Sequence, residues 1–321
     1  MSPDTRIYVA GHRGLVGSAL VRALGRKGCG NLILRTHAEL DLTDRRAVAQ
    51  FFKDERPEVV FLAAARVGGI LANDTFPADF IRDNLEIQTN VIHQAWASGA
   101  KRLVFFGSSC IYPRDCPQPI KEETLLTGPL EPTNSAYAIA KIAGIEMCRA
   151  YNRQHGAQFL AVMPTNLYGP GDNYDLETSH VLPALVRKIH EAQTRGEKEV
   201  VIWGSGKPRR EFLHADDLAD ACVMLAALDD AAYAAQIGAW RYPLLNIGSG
   251  ADQTVTELAR TIAEALGFRG ELRYDAAKPD GTPQKLLDIS RISALGWRPR
   301  IGLPEGIART YRELLDAGTL P

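Results

Sequence analysis

A glycine-rich turn near the start of the chain constrains the fold more than any other feature. The apolar stretch Arg6-Ile-Tyr-Val-Ala10 predicts a buried strand, and Gly11-His-Arg-Gly14-Leu-Val-Gly17 follows it directly. The residues from Ser18 onward then have the apolar spacing of a helix. Glycines between a first strand and a first helix let the backbone turn tightly and approach a pyrophosphate at the helix N-terminus. The pattern therefore predicts a dinucleotide-binding α/β domain.

Buried strand patterns alternate with helical patterns throughout the first half of the chain. Further strands are predicted at residues 31–35, 59–65, 101–107 and 159–163, with a long helix at about 75–98. This alternation is typical of a doubly wound parallel sheet, the Rossmann type, which binds ligands at the carboxyl ends of its strands. After Gly171 the pattern becomes less regular, and the tail at 278–297 is predicted as a loop and a short helix.

Two arginines indicate which dinucleotide the fold binds. NAD-binding sheets usually carry an acidic residue after the second strand, for the ribose 2′-hydroxyl, but this chain has Arg35 there. Arg13 lies within the glycine turn, and two guanidiniums suit a 2′-phosphate, so the sequence favours NADP(H). Glu39 is close behind, and it leaves the strictness of this preference open.

Ser108, Tyr137 and Lys141 form a candidate catalytic trio. Ser108 follows the fourth predicted strand, and Tyr137 and Lys141 are four residues apart, on one face of a predicted helix. A tyrosine hydroxyl has a pKa of about 10, and a neighbouring ammonium is expected to lower it. We expect Ser108 to orient a substrate oxygen, Tyr137 to move the proton, and Lys141 to tune Tyr137.

Composition excludes several other classes of protein. The chain has 321 residues, 45% of them hydrophobic and 23% charged, with a formal net charge of −1, so neither nucleic acid nor an anionic membrane is predicted as a partner. No apolar stretch approaches the roughly 20 residues of a membrane span, and no signal peptide is predicted. The five cysteines are odd in number and lack paired spacing, so we expect no metal site or disulfides and a cytoplasmic location.

Taken together, these motifs resemble the extended short-chain dehydrogenase/reductases and, within them, the GDP-L-fucose synthase family. The resemblance covers nearly the whole chain. Its most specific motifs are Gly107-Ser-Ser-Cys-Ile-Tyr-Pro113, Glu131-Pro-Thr-Asn134, Tyr137-Ala-Ile-Ala-Lys141, Ser179-His180, Trp203-Gly-Ser-Gly206 and Arg210-Glu-Phe-Leu-His214. It implies NADPH-dependent conversion of GDP-4-keto-6-deoxy-D-mannose to GDP-L-fucose, by 3,5-epimerisation and then hydride reduction at C4.

The resemblance also implies roles for individual residues. Cys110 and His180 form the acid/base pair for epimerisation, and which is the acid, and whether C3 or C5 reacts first, stay open. The implied cofactor contacts are Gly11, Arg13, Gly14, Gly17, Lys141, Asn166 and His180, and the implied GDP-sugar contacts are Lys188, Trp203, Arg210 and Asp280.

At the level of organisation, the resemblance implies two domains and a homodimer. The NADP-binding domain comprises residues 1–170 and 211–248, and a smaller, discontinuous substrate domain comprises 171–210 and 249–321. The helices at about 75–98 and 136–155 would form the dimer interface.

Alternatives on the same fold come from two classes, related enzymes and a non-enzymatic protein. A sugar-nucleotide 4-epimerase would need no Cys110/His180 pair, and a dehydratase would have an acidic pair where this chain has Ser109 and Cys110. A non-enzymatic dinucleotide sensor is the alternative from another class, because fold alone does not establish catalysis. A sensor has no use for the Ser108, Tyr137 and Lys141 trio.

Overall fold

The computed structural model describes residues 1–176, 178–277 and 280–320. The strands are β1 (Ile7–Ala10), β2 (Leu32–Ile33), β3 (Val59–Leu62), β4 (Arg102–Phe106), β5 (Phe159–Pro164), β6 (Asn166–Tyr168), β7 (Glu199–Trp203), β8 (Arg209–His214), β9 (Leu244–Ile247), β10 (Asp252–Thr254), β11 (Glu271–Asp275) and β12 (Gln284–Lys285). The helices are α1 (Leu15–Arg26), α2 (Arg45–Glu55), α3 (Ile70–Thr75), α4 (Pro77–Ala97), α5 (Ser135–His155), α6 (Val181–Thr194), α7 (Ala215–Ala227), α8 (Asp230–Gly238), α9 (Val255–Leu266), α10 (Ser290–Ala294) and α11 (Leu303–Asp316).

The main sheet has the strand order β2-β1-β3-β4-β5-β9, and all neighbouring strands are parallel. Its strands are apolar on both faces because helices cover both. Ile7 and Val9 pack in a cluster with residues of α1 and α7, whereas Tyr8 between them packs with residues of α2, α4 and α5. This arrangement confirms the predicted doubly wound α/β fold.

Local sequence signals also locate helix starts. Asp44 precedes α2, and its carboxylate accepts hydrogen bonds from the backbone N–H groups of Arg46 and Ala47, at 2.8 and 3.1 Å. Proline stands in the first turn of α4, where no intrahelical N–H bond is lost. The long helix expected at 75–98 is found as α4, and the second strand is shorter than predicted, at two residues.

The carboxyl-terminal segment contains more structure than the sequence predicted. The expected short helix is α10, but the expected loop contains β12, and α11 follows as a helix of 14 residues. Residues 278 and 279 of that loop lie outside the described part of the chain. The buried positions of α11 include Ile307, Thr310 and Leu314, an i, i+3, i+7 spacing that is typical of a helix and that the prediction of this segment overlooked.

A second, smaller sheet is built around β8. This strand pairs in parallel with β6 and β12 and antiparallel with β10. A third hydrophobic cluster, with members from 168–212 and 258–314, lies among α6, α9, α11 and these strands. By contrast, Leu287, Ile292 and Trp297 belong to the clusters of the main sheet, although their segment falls within the predicted smaller domain. The domain boundaries stay a prediction.

Within residues 1–176, 178–277 and 280–320, no helix has both the length and the apolar character that crossing a bilayer requires.

We predict that Gly144→Ala destabilises the protein because α5 packs closely on β4 and α4. A Cβ at Gly144 would overlap the Phe105 ring and lie 3.0 Å from Gln88 Oε1. Overpacking of this kind lowers the free energy of unfolding by about 1–3 kcal/mol. Urea unfolding followed by circular dichroism measures the change.

Gly25→Ala is the matched control, because Gly25 is an exposed glycine of α1 and a Cβ added there would have no other atom within 4 Å. There, alanine should raise the free energy of unfolding by about 0.5–1 kcal/mol. Equal effects of the two substitutions would contradict close packing at Gly144.

Candidate active site

Ser108, Tyr137 and Lys141 converge at the carboxyl end of β4. Tyr137 and Lys141 lie one turn apart on α5, and only 9% and 3% of their surfaces are exposed. The Lys141 ammonium donates a 2.9 Å hydrogen bond to the carbonyl of Phe106, the last residue of β4. Ser108 follows two residues later, and its side chain interacts with that of Tyr137. The structure thus brings the predicted trio together.

Burial dominates the ionisation of Tyr137 and Lys141. It raises the pKa of Tyr137, nearby Cys110 raises that pKa further, and hydrogen bonding to Ser108 opposes both effects. Burial also lowers the pKa of Lys141 to about 7. The expectation that Lys141 lowers the pKa of Tyr137 is therefore wrong for this arrangement. Tyr137 is held as a neutral hydroxyl, which is the form that donates a proton.

Cys110 lies in a 3-10 turn, Ser109–Ile111, that leaves the end of β4. The Ser108 hydroxyl accepts a 3.4 Å hydrogen bond from the Cys110 N–H and so holds this turn beside the trio. The sulfur faces two donors: the Asn134 side-chain amide at 3.3 Å and the Lys285 ammonium at 3.8 Å.

His180 stands at the N-cap position of α6, and part of its side chain is exposed to solvent. The surrounding protein nonetheless desolvates the imidazole enough to lower its pKa, and Lys285 lowers that pKa further. Lys285 is therefore close to both His180 and Cys110. Within the described residues, no hydrogen bond joins Cys110 directly to His180.

The glycine turn forms a backbone cradle before α1. Gly11 has a φ of 82°, and a Cβ there would lie 2.8 Å from the backbone nitrogen of Ala64. A side chain at Gly17 would overlap the Gly11 carbonyl. Gly14 provides no side-chain cap for α1, so the first N–H groups of the helix remain available to an anion. These features fit the pyrophosphate of a dinucleotide.

The two arginines assigned to a 2′-phosphate differ in their surroundings. Arg13 is exposed, whereas Arg35 forms an ion pair with Glu55 and donates to the Leu34 carbonyl at 2.8 Å. Both guanidiniums contribute to lowering the pKa of Glu39, after the larger effect of its hydrogen bonds from Thr36. Arg13 and Arg35 therefore both lie near Glu39, and Arg35 is the more constrained of the two.

Cationic and aromatic side chains gather where β7 and β8 meet the segment after residue 279. The Lys188 ammonium lies 4.5 Å from the centre of the Trp203 ring, and burial lowers the pKa of Lys188. Burial also lowers the pKa of Arg210, although Asp280 and Cys110 oppose this. The Asp280 carboxylate accepts hydrogen bonds from the N–H and hydroxyl of Ser205, at 2.8 and 2.5 Å.

Asn166 and Arg210 are linked through the backbone of β8. The Asn166 amide donates a 2.9 Å hydrogen bond to the carbonyl of Glu211, the residue after Arg210. Asn166 of β6, an implied cofactor contact, is therefore hydrogen-bonded to the residue that follows Arg210, an implied substrate contact.

Sequence reasoning did not assign Asn134 and Lys285 to the site. Asn134 precedes α5 and ends the motif Glu131-Pro-Thr-Asn134 of the family resemblance, so a signal for it existed. Lys285 had none, because only the pairing of β12 with β8 brings it to the sulfur. Among the described residues, no group of three or more His, Cys, Asp and Glu side chains is placed to hold a metal ion.

We predict that Lys141→Met stabilises the protein most at or below pH 7. The pKa of folded Lys141 is about 7, whereas unfolded lysine titrates at about 10.4, so the unfolded chain binds more protons between these values. Wild-type stability therefore rises through this window, and the advantage of methionine shrinks by up to about 1.4 kcal/mol per pH unit.

Urea unfolding at pH 6, 7, 8 and 9 tests this expectation. Lys53→Met, which removes an exposed ammonium on α2, controls for the change in overall charge. A stability difference between wild type and Lys141→Met that does not vary with pH would mean that Lys141 stays protonated when folded.

Comparison with known proteins agrees with this geometry. Residues 7–238 match the model of the NAD dependent epimerase/dehydratase family. GDP-L-fucose synthase 1 of Arabidopsis thaliana is 58% identical over 311 residues, covering 96% of this chain and 92% of the plant protein.

Two solved structures are also similar. One is the Campylobacter jejuni GDP-mannoheptose C4 reductase MlghC with NADP bound, with a TM-score of 0.88, 42% identity and coverage of 97% and 98% of the two chains. The other is a GDP-L-fucose synthetase from Naegleria fowleri bound to NADP, with a TM-score of 0.88, 28% identity and coverage of 99% and 96%. The chain therefore belongs to the NAD dependent epimerase/dehydratase family and, within it, to the GDP-L-fucose synthases.

Proposed function

We propose that this protein converts GDP-4-keto-6-deoxy-D-mannose to GDP-L-fucose with NADPH, by epimerisation at C3 and C5 and reduction at C4. The observation that carries this proposal is the position of Cys110. Its sulfur lies between the donors Asn134 and Lys285, and its N–H bonds to Ser108 of the reductase trio. A group that can exchange protons with carbon thus stands beside the groups that would bind the sugar's C4 oxygen.

The cofactor proposal rests on the glycine cradle. Gly11, Gly14 and Gly17 would hold the pyrophosphate of NADPH, and Arg13 and Arg35 would contact the 2′-phosphate. The remaining contacts, by family resemblance, are Lys141, Asn166 and His180. When bound, NADPH supplies the hydride for C4.

The epimerisation uses the acidity of hydrogens next to a ketone. Removing a proton from C3 or C5 leaves an enolate whose charge lies on the C4 oxygen, and the hydroxyls of Ser108 and Tyr137 would stabilise it by donating hydrogen bonds. Cys110 and His180 form the acid/base pair that removes the proton from one face and returns one to the other. Thiols and imidazoles ordinarily titrate within about two units of neutral pH, so both can exchange protons reversibly.

The reduction then uses the same oxygen. As hydride reaches C4, negative charge develops on the oxygen, and Tyr137 donates its proton there. Burial raises the pKa of Tyr137, so the hydroxyl is protonated before the step. One arrangement of donors therefore serves both reactions, because each places charge on the C4 oxygen.

The nucleotide half of the substrate would bind beyond this oxygen. Lys188 and Arg210 are cations suited to the diphosphate, and Trp203, with 57% of its surface exposed, offers a ring for stacking. Asp280 is fixed by Ser205 beside them and would accept hydrogen bonds from the nucleoside.

A reductase that does not epimerise is the second candidate, because the similar C. jejuni protein is named as a C4 reductase. Reduction alone gives no role to the Cys110 sulfur, which accepts hydrogen bonds from Asn134 and Lys285. These two contacts therefore favour an enzyme that both epimerises and reduces. A 4-epimerase has no need of the Cys110/His180 pair either.

We further propose a two-domain, cytoplasmic homodimer. The third hydrophobic cluster, separate from the clusters of the main sheet, supports a substrate domain built from 171–210 and 249–321. All five cysteines are free, which agrees with a reducing compartment. The helices α4 and α5 carry a shared group of rings that includes Trp96, Tyr151 and His155, and this face would form the dimer interface.

We predict that Cys110→Ser abolishes epimerisation without preventing NADPH binding. General acid–base groups contribute about 10²–10⁴-fold to rates, and a serine hydroxyl is too weak an acid to replace the thiol. In D₂O, the variant should incorporate deuterium at C3 and C5 of the substrate about 10²–10⁴-fold more slowly, and it should form no GDP-L-fucose within the wild-type assay time.

Cys116→Ser is the control for loss of a thiol, since this cysteine lies further along the same loop. Unchanged deuterium incorporation in Cys110→Ser would leave a simple reductase. If the wild-type protein oxidised neither NADPH nor NADH with this substrate, the proposed function itself would be wrong.

We predict that Arg13→Ala weakens the preference for NADPH. Hydrogen bonds to charged groups contribute about 1.5–3 kcal/mol, so the KM for NADPH should rise by at least about tenfold. The KM for NADH, which lacks the 2′-phosphate, should stay the same. Arg35→Ala should have the smaller effect because Arg35 is paired with Glu55.

Steady-state kinetics with both cofactors measure these changes, and Arg312→Ala, on the exposed side of α11, is the control. Equal loss of affinity for NADPH and NADH would assign Arg13 to the shared part of the dinucleotide instead.

A further inference from the structure

Lys285 lies close to both members of the proposed acid/base pair, although neither the motifs nor the family resemblance pointed to it. Its ammonium is 3.8 Å from the Cys110 sulfur and contributes to lowering the pKa of His180. In residues 1–176, 178–277 and 280–320, no carboxylate forms an ion pair with Lys285. Without such an ion pair, the positive charge of Lys285 acts on Cys110 and His180.

The backbone around Lys285 is held from two sides. Lys285 is the register partner of Arg210, in the pairing of β12 with β8. The next residue, Leu286, donates its N–H to Gln118 Oε1 at 2.9 Å, and its carbonyl accepts the N–H of Ile120 at 2.7 Å. Gln118 and Ile120 belong to the loop that continues from Cys110. Hydrogen bonds thus join the loop that follows Cys110 to the segment that carries Lys285, and they keep the thiol and the ammonium close together.

The register also places two cations side by side. Two positive charges on paired strands repel each other, and Asp280 supplies one compensating negative charge near Arg210. Cys110 is close to both cations, because its sulfur contacts the Lys285 ammonium and it interacts electrostatically with Arg210. The Cys110 sulfur, in contact with the Lys285 ammonium, is the second position where negative charge would be favoured.

We propose that Lys285 is a positioning residue for epimerisation, holding Cys110 in its thiolate form. This inference rests on the proposed function, because it assigns the thiol to proton exchange with the sugar. When sulfur takes a proton from carbon, the C–H bond breaks, an S–H bond forms and the electron pair moves into the enolate. In the reverse direction the thiol gives its proton to the enolate carbon and becomes a thiolate. Lys285 stabilises the thiolate in both directions.

Other titratable groups interact with Cys110 or with Lys285. Tyr137 of α5 and Arg210 of β8 both interact with Cys110 electrostatically. His180 before α6 and Cys116 in the following loop both interact with Lys285. Of these groups only Arg210 is a second permanent cation, so removing Lys285 should shift the ionisation of Cys110 without abolishing it.

The test measures the reactivity of Cys110 in the absence of substrate. Iodoacetamide alkylates the thiolate, so the rate of modification as a function of pH reports its population. Peptide-resolved mass spectrometry separates Cys110 from Cys116. In Lys285→Met the half-maximal rate should move to higher pH by about one unit, a tenfold loss of thiolate at a fixed pH below the midpoint.

Two variants make the result specific. Lys285→Arg keeps the positive charge and should restore a midpoint close to that of the wild type. Lys53→Met removes an exposed ammonium from α2 and should leave the midpoint unchanged. Equal midpoints for wild type and Lys285→Met, or failure of arginine to restore the midpoint, would overturn the proposal.

A second measurement links this shift to turnover. In D₂O, Lys285→Met should incorporate deuterium at C3 and C5 about tenfold more slowly below the midpoint, with recovery as the pH rises, whereas its affinity for NADPH should not change. An equal loss at every pH would indicate a merely structural role. If the wild type incorporated no deuterium, the proposed function would fail, and the alkylation data would still report on Lys285 separately.

Discussion

The carboxylate of Glu211 fixes the strand on which most of the site depends. Glu211 is fully buried, and its side chain accepts hydrogen bonds from the N–H groups of Gly250, at 2.7 Å, and Leu287, at 2.9 Å. Its backbone carbonyl accepts from Thr165 and Asn166. One residue of β8 therefore joins the end of β5, the turn after β9 and the segment after β12. Burial raises the pKa of Glu211, so these donors stabilise a carboxylate that the interior disfavours.

The main sheet could be predicted from the sequence because its information is local. Strands β1, β3, β4 and β5 are short apolar runs that are buried on both faces, and each ends in a turn of recognisable composition. The smaller sheet could not be predicted in the same way. Lys285 reaches Cys110 across 175 positions of sequence, through the pairing of a two-residue strand, and a strand of that length has no periodicity to detect.

The chemistry at Tyr137 shows a second limit of reasoning from spacing. The four-residue interval to Lys141 was enough to place both side chains on one face of α5. It could not reveal that both are buried, and burial acts on the two groups in opposite directions: it raises the pKa of Tyr137 and lowers that of Lys141. The spacing of two titratable groups is thus a poor guide to their ionisation when the degree of solvation is unknown.

The double use of the Ser108 side chain has a consequence for how the enzyme can change. The hydroxyl interacts with Tyr137 and also accepts the N–H of Cys110, so it contacts both the proposed reductase group and the proposed epimerase group. Substituting this residue disturbs both sets of groups together, and effects of residues that share a partner are not additive. Under the proposed roles, a lineage that loses epimerisation but keeps reduction would be free to change Cys110, whereas Ser108 would stay under selection for as long as either activity is retained.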